Sequence, residues 1–364
     1  MKASKVTCIV LRDISPAVAK ALGEAGIATW SIQSGRSVVL RERKRFLGLS
    51  STTVLEDDPV DIYRVYVKPR AADGLLGTLA VKADLATGGR GAVFSEDVDL
   101  DMRAGSFLNA GAAAGPEEHP PFVSGLVGIC CIVQRGQAAP VIRSVLESGS
   151  VPTITFGEGM GVRDKLGLLR IAIPAEKELV SAVVTSYDAE QIMNILIDVG
   201  RLDQPGKGFI YLYPIRKGIL NTKTQRGQRA QGASMEQVVA AIDQLKGSPE
   251  WRKMETVVKT GGTRKYLKDL TKFNLLANDG MTIGLVHAAM AIGAPGSTIS
   301  RFRQLEGGDA AVGTARETAD MIVGKTQVDG LIRAVSDAGL YSEASAGLLE
   351  LGAVTLACTY LGGK

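Results

Sequence analysis

The chain has 364 residues, with 42 Lys and Arg against 38 Asp and Glu, two His and four Cys. At roughly 100 to 200 residues per domain this length allows two or three domains with cores of their own, which excludes a disulfide scaffold or a disordered tail. The formal charge of +4 and the lack of any dense basic block exclude dedicated nucleic-acid binding.

The start, MKASKVTCIVLRD, meets charged residues too early for a signal peptide, and no apolar run approaches the roughly 18 residues of a membrane span. A cytoplasmic chain without membrane insertion is expected. In chain order, Cys8 to Arg12 reads as a strand, Ile14 to Ala25 as a helix closed by Gly26, and Ala28 to Ile32 as a second strand. A Gly- and charge-rich excursion follows. Asp61 to Val67 is then a strand, Ala71 to Leu85 a helix, Thr87-Gly88-Gly89-Arg90-Gly91 a turn and Ala92 to Ser95 a strand.

The same order returns from Cys131-Ile132-Val133-Gln134-Arg135. The helix is Gln137 to Ser148, followed by Gly149, the strand Val151 to Phe156, a long loop Gly157 to Glu178 and the strand Leu179 to Ser186. The helix Asp188 to Asp198, the turn Gly200 to Gly208 and the strand Phe209 to Tyr213 complete it. A polar stretch with a helical piece at Met235 to Leu245 separates this from a third, more worn copy. There the strands are Leu267 to Leu276, Ser297 to Leu305, Thr318 to Lys325 and Gly352 to Thr359, with helices Met281 to Ile292 and Gln327 to Asp337. Internal repetition decides architecture. The predicted fold class is therefore α+β: three ferredoxin-like βαββαβ repeats packed as an intramolecular pseudo-trimer. Predicted boundaries are residues 1–104, 122–225 and 265–364, with a helical linker at 226–264.

The four thiols, Cys8, Cys130, Cys131 and Cys358, lie in apolar strands and read as buried small hydrophobes. Cys130 and Cys131 point to opposite faces of a strand, which is poor geometry for one metal. His119 and His287 supply no cluster, so no metal site and no catalytic triad is expected.

Gly200-Arg201-Leu202-Asp203-Gln204-Pro205-Gly206-Lys207-Gly208-Phe209-Ile210-Tyr211 and its placement in the unit resemble the P-II signal-transduction family, trimers of ferredoxin-like subunits that act in nitrogen regulation. Gly206-Lys207 fits the family's phosphate loop, with Val199 in place of its threonine and Pro205 in place of its acid. The first copy keeps Thr87-Gly88, with Arg90 standing for the lysine; the third keeps topology only.

The resemblance implies ATP or ADP as an effector, with no obligatory cofactor, bound in clefts between repeats. Gly157, Gly159, Gly161 and Arg163 would come from the long loop, Gly200, Gly206 and Lys207 from the phosphate loop. Thr87, Gly88, Gly89 and Arg90 would do the same in the first copy, and Lys217, Lys223 or Arg226 would follow the last strand. Exposed backbone N–H groups in a glycine turn favour anions on physical grounds too. The basic excursions, Arg36, Arg41, Arg43, Lys44 and Arg45 in one copy and Lys165 and Arg170 in the next, read as a partner loop. The implied function is a regulator that binds an adenine nucleotide or similar anionic effector and controls an enzyme or transporter. The alternatives are a hydrolase acting on a small anionic substrate in the same clefts, and a metal-tolerance or scaffold protein.

Overall fold

The computed structural model describes residues 1–44, 51–102, 107–109, 115–161, 175–221, 225–226, 235–246, 248, 264–306 and 313–361. The first part runs β1 (Lys2–Leu11), α1 (Ser15–Glu24), β2 (Thr29–Lys44), β3 (Ser51–Val67), α2 (Ala72–Lys82), β4 (Gly91–Asp101) and β5 (Leu108–Asn109). The second runs β6 (Val123–Gln134), α3 (Ala139–Glu147), β7 (Thr153–Gly161), β8 (Glu176–Thr185), α4 (Ala189–Gly200), β9 (Gly208–Ile219) and β10 (Gln225–Arg226). After α5 (Met235–Lys246) come β11 (Leu270–Asn278), α6 (Thr282–Ala291), β12 (Gly296–Glu306), β13 (Thr314–Gly324), α7 (Val328–Asp337), β14 (Leu348–Val354) and β15 (Leu356–Thr359).

Each helix follows from local chemistry. Pro140 starts α3, and Val141, Ile142, Val145 and Leu146 place one apolar stripe on the sheet. Gly26 and Gly149 end α1 and α3 at φ of 72° and 90°, where a side chain would be strained.

The three-module fold class is corrected by the strand pairing. The strands do not form three separate sheets packed face to face. They join in one 15-stranded sheet in the order β10-β2-β3-β1-β4-β14-β11-β13-β12-β7-β8-β6-β9-β15, with β5 beside β3. Further pairings β2–β12, β2–β7 and β4–β9 bring the path back on itself. Ten strands thus close an antiparallel β-barrel, not a ferredoxin-like internal-repeat pseudo-trimer. The physical reason is that strand edges at the seams would carry unpaired N–H and C=O groups, and the pairings β2–β12, β2–β7 and β4–β9 give them partners. Glycine permits the close approach: a Cβ on Gly218 would lie 2.4 Å from the carbonyl oxygen of Val93 across the β4–β9 seam.

Side chains alternate across the barrel wall. Val6, Cys8 and Val10 of β1 pack outward with Val18, Leu22, Leu75 and Leu79 of the covering helices. Cys131, Met193 and Leu196 belong to a second such cluster, and Phe273, Leu285 and Val335 to a third. Fully burying each large apolar side chain contributes about 1.5–3 kcal/mol. All four cysteines are free and buried, and burial pushes the Cys8 thiol up to about 12. The inward positions of β1 are Lys5, Thr7 and Ile9, so a charged and a polar side chain face the barrel interior beside an apolar one.

Lys5 of β1 pairs with Glu96 of β4, Gly128 of β6 with Tyr213 of β9, and Lys272 of β11 with Gly352 of β14. A Cβ on Gly128 would sit 2.1 Å from Cζ of Tyr213, so the tyrosine ring fills the space over that glycine. Gly128→Ala is expected to push the ring aside and destabilise the protein by about 2 kcal/mol, measured as a lower urea midpoint at unchanged slope.

Candidate functional site

Among the described residues, two of the regions that gather polar side chains from different parts of the chain are candidate sites. The first is a cleft at the β4–β9 seam, with Arg90 and Gly91 on one side and Leu220 and Asn221 on the other. Ser37, Thr153, Ser181 and Tyr213 complete its polar lining, and its volume is about 40 Å³. The turn before β4 is held in place by its own bonds. Thr87 Oγ1 donates to Asp84 Oδ2 at 2.9 Å, and the Gly89 N–H donates to Asn221 Oδ1 at 3.1 Å. Arg90 Nε donates to the Ala83 carbonyl at 3.1 Å and lies 3.4 Å from Asp84. One face of the guanidinium is thus fixed by the preceding turn. Among the described residues that line the cleft there is no Asp, Glu, His or Lys.

The predicted phosphate loop of the second part is a turn. Gln134 Nε2 donates to the Gly206 carbonyl at 2.9 Å, and the Lys207 N–H to the Gln204 carbonyl at 3.3 Å. Gly200 is the last residue of α4, and Arg201 turns the chain in the left-handed region at φ 51°. Gly157, Gly159 and Gly161, expected in a loop, lie in β7, with Gly157 opposite Lys177. A Cβ on Gly157 would lie 2.7 Å from the Ile299 carbonyl oxygen, so this glycine serves the approach of β12. Gly157 and Gly206 stand two strands apart, because Lys177 faces Gln134 and Gln134 holds Gly206. The structure therefore does not gather these residues around one space as it does Arg90 and Asn221.

Of the basic excursions, Arg36 pairs with Asp57 at 3.0 Å and Arg41 bonds Glu56. Arg43 and Lys44 stand opposite Thr52 and Ser51 in the β2–β3 ribbon. Lys217 pairs with Asp73 at 2.7 Å, and Arg226 lies in β10 beside Arg41. Arg45, Arg163, Lys165, Arg170 and Lys223 fall outside the described residues. Among the described residues no three His, Cys, Asp or Glu side chains cluster to hold a metal. No described helix is long and apolar enough to cross a membrane.

The second region is the barrel interior, a cavity of about 110 Å³. Lys5 Nζ lies 2.8 Å from Glu350 Oε1 and 3.2 Å from Glu96 Oε2, and Tyr66 O–H donates to Glu350. Lys272 faces Asp320 at 3.2 Å, and Arg64 donates to Gln33 Oε1 at 2.9 Å. Burial alone would raise the Glu350 carboxyl, but Lys5 and Lys272, with hydrogen bonds from Lys5 and Tyr66, hold it down at about 2. Burial would lower Lys272; Asp320, Glu350 and Glu96 outweigh it and raise it. Burial and the neighbouring acid Glu96 push the Tyr213 hydroxyl up. None of these interior residues was singled out from the sequence. Their signal is charged or polar residues at period two inside largely apolar strands: Lys5 and Thr7 in ASKVTCIVL, Lys272 and Asn274 in LTKFNLLAN, Glu350 in LLELGAV.

No family model matches the chain, and no curated protein matches it. Among solved structures, one titled "Crystal Structure of Aspartate Kinase from Synechocystis" is similar at 11% identity and a TM-score of 0.21, over 95% of this chain and 43% of that one. The chain thus spans less than half of that structure. A likeness at this score carries no argument about fold or activity.

Proposed function

We propose that the protein is a ligand-sensing regulator whose effector presents a small anion, such as a phosphate group, to the cleft at the β4–β9 seam. The observation that carries this reading is Arg90: a guanidinium in the wall of a cleft built from both sides of a seam, with Asp84 at its Nε on the turn side and no carboxylate in the described lining of the cleft. Asn221, Ser37 and Ser181 add polar groups, and charge-assisted hydrogen bonds from Arg suit an oxyanion. At roughly 10–15 Å³ per water the cleft takes about three waters, hence one tetrahedral anion. The base and sugar of ATP or ADP would lie outside it. Because the seam joins two distant strands, an anion bridging Arg90 and Asn221 would tighten that junction, and a protein partner could read the change. A hydrolase is less well supported, since a cleft hydroxyl would need a base that the described lining does not contain.

Titration calorimetry with inorganic phosphate, ADP and ATP tests the reading. Arg90→Ala is expected to weaken binding by about 10- to 100-fold, the equivalent of a lost charged hydrogen bond of roughly 1.5–3 kcal/mol. Lys207→Ala should leave it unchanged. No heat from any of the three with folded protein, or unaltered binding by the Arg90 variant, overturns it.

A further inference from the structure

We infer that the barrel interior is a second binding site, which shares the wall of Thr153, Ser181 and Tyr213 with the seam cleft but not Arg90 or Asn221, and that it takes a small zwitterion carrying one ammonium and one carboxylate. Size comes first. A cavity of about 110 Å³ holds on the order of eight waters, and so a ligand of about that many heavy atoms. Water-sized contact persists at its charged wall, since Lys272 and Asp320 keep 16% and 18% of their side-chain surface.

Charge then narrows the class. The lining holds three cations, Lys5, Arg64 and Lys272, and three carboxylates, Glu96, Asp320 and Glu350. A ligand with net charge would leave that charge uncompensated in a buried space, which costs several kcal/mol. A zwitterion keeps the balance. Laid antiparallel to the Lys272–Asp320 pair, it offers its carboxylate to the lysine and its ammonium to the aspartate, so both ions gain a second partner. The wall from the second part of the chain, including Cys130, Tyr211 and Tyr213, is uncharged and matches the apolar link between the ligand's two ends. Thr7 adds an independent sign: the residue lines the cavity and is 4% exposed, and its Oγ1 has no hydrogen-bond partner among the described residues. A buried hydroxyl without a partner is costly, and a bound polar molecule would supply one.

Calorimetry on the full chain with glycine and β-alanine as probes tests this, against acetate and methylammonium, which carry one charge each. Both zwitterions should bind, and the single ions at least tenfold more weakly. Thr155→Leu fills the cavity without touching a charge and should abolish the glycine heat while the thermal midpoint stays within a few degrees. If that variant does not fold, Ser31→Leu on the same wall replaces it. Arg90→Ala should bind glycine as the wild type does, which separates this site from the seam. The inference is overturned by absence of heat with both zwitterions, by acetate or methylammonium binding equally well, by glycine binding that survives the filling variant, or by its loss in the Arg90 variant.

Discussion

Replacing Glu350 with alanine is expected to destabilise the protein by about 3 kcal/mol or more, read as a large fall in urea midpoint at pH 7. Glu350 is 1% exposed and receives Lys5 at 2.8 Å and Tyr66 O–H from strands nearly the whole chain away. Removing one partner of such a group leaves the others buried and short of a partner, a loss of roughly 3–5 kcal/mol. The exposed pair Lys2–Asp99 is just as close, at 2.7 Å, but its side chains are 81% and 43% exposed. Asp99→Ala should therefore cost less than about 1 kcal/mol. Distance alone does not rank these ion pairs; burial does.

The pH dependence follows from the same carboxyl. Glu350 is pushed down to about 2 in the folded protein, against about 4.3 for an unfolded glutamate. The folded value lies below the unfolded one, so its stabilisation is full above about pH 4.3 and is lost as pH falls through about 2. The stability gap between wild type and Glu350→Ala should hold steady from pH 7 to 5 and narrow between pH 4 and 2. A gap that stays constant down to pH 2 would show that Glu350 acts through shape and not through its charge.

The second large effect is at Gly91. Its φ is +151°, and a Cβ there would sit 2.0 Å from the Ile9 carbonyl oxygen. Gly208 is in the same situation at the start of β9, at φ +149°, where an added Cβ would sit 2.3 Å from the Ile132 carbonyl oxygen. Backbone cannot give way as a flexible side-chain tip can. Gly91→Ala is therefore expected to cost about 3 kcal/mol or more, by strain and by lost pairing of β1 with β4. Gly23 is the control: it lies inside α1 with nothing within 4 Å of its added Cβ. Gly23→Ala should stabilise by about 0.5–1 kcal/mol. Thermal midpoints of the two variants should move in opposite directions. Equal behaviour would mean that Gly91 is kept for ligand approach and not for the sheet.

Gly91 and Gly208 also show what could be read in the sequence. The glycine turns announce where α2 and α4 give way to a last strand, and the helices stand close to where apolar periodicity puts them. The strands are longer than predicted. Phe156 reads as an end by composition, yet β7 continues to Gly161, because Gly157 and Glu158 meet Ile299 of β12 across a seam that no local pattern encodes. Glycine reads as loop by propensity, whereas at a crowded seam it is what allows two backbones to touch. Barrel closure stayed hidden for a related reason. Strand edges pair through backbone groups common to all residues, so β4 with β9 or β2 with β12 leaves little trace in side chains. Lys5, Lys272 and Glu350 were passed over because a charged residue in a strand ordinarily marks the solvent face, and here that face is the interior. Arg90, named from the turn it follows, does line a cleft. Asn221, which lines the same cleft and accepts from the Gly89 N–H, lies 131 positions beyond Arg90, out of the reach of any spacing rule.

The most direct test of the seam reading is a crystal structure grown with ADP at saturating concentration. A phosphate group within hydrogen-bonding distance of the Arg90 guanidinium and Asn221, with β4 and β9 still paired, is the expected result. Density for the phosphates beside Lys207 alone, with the Arg90 cleft filled by protein side chains, would contradict it.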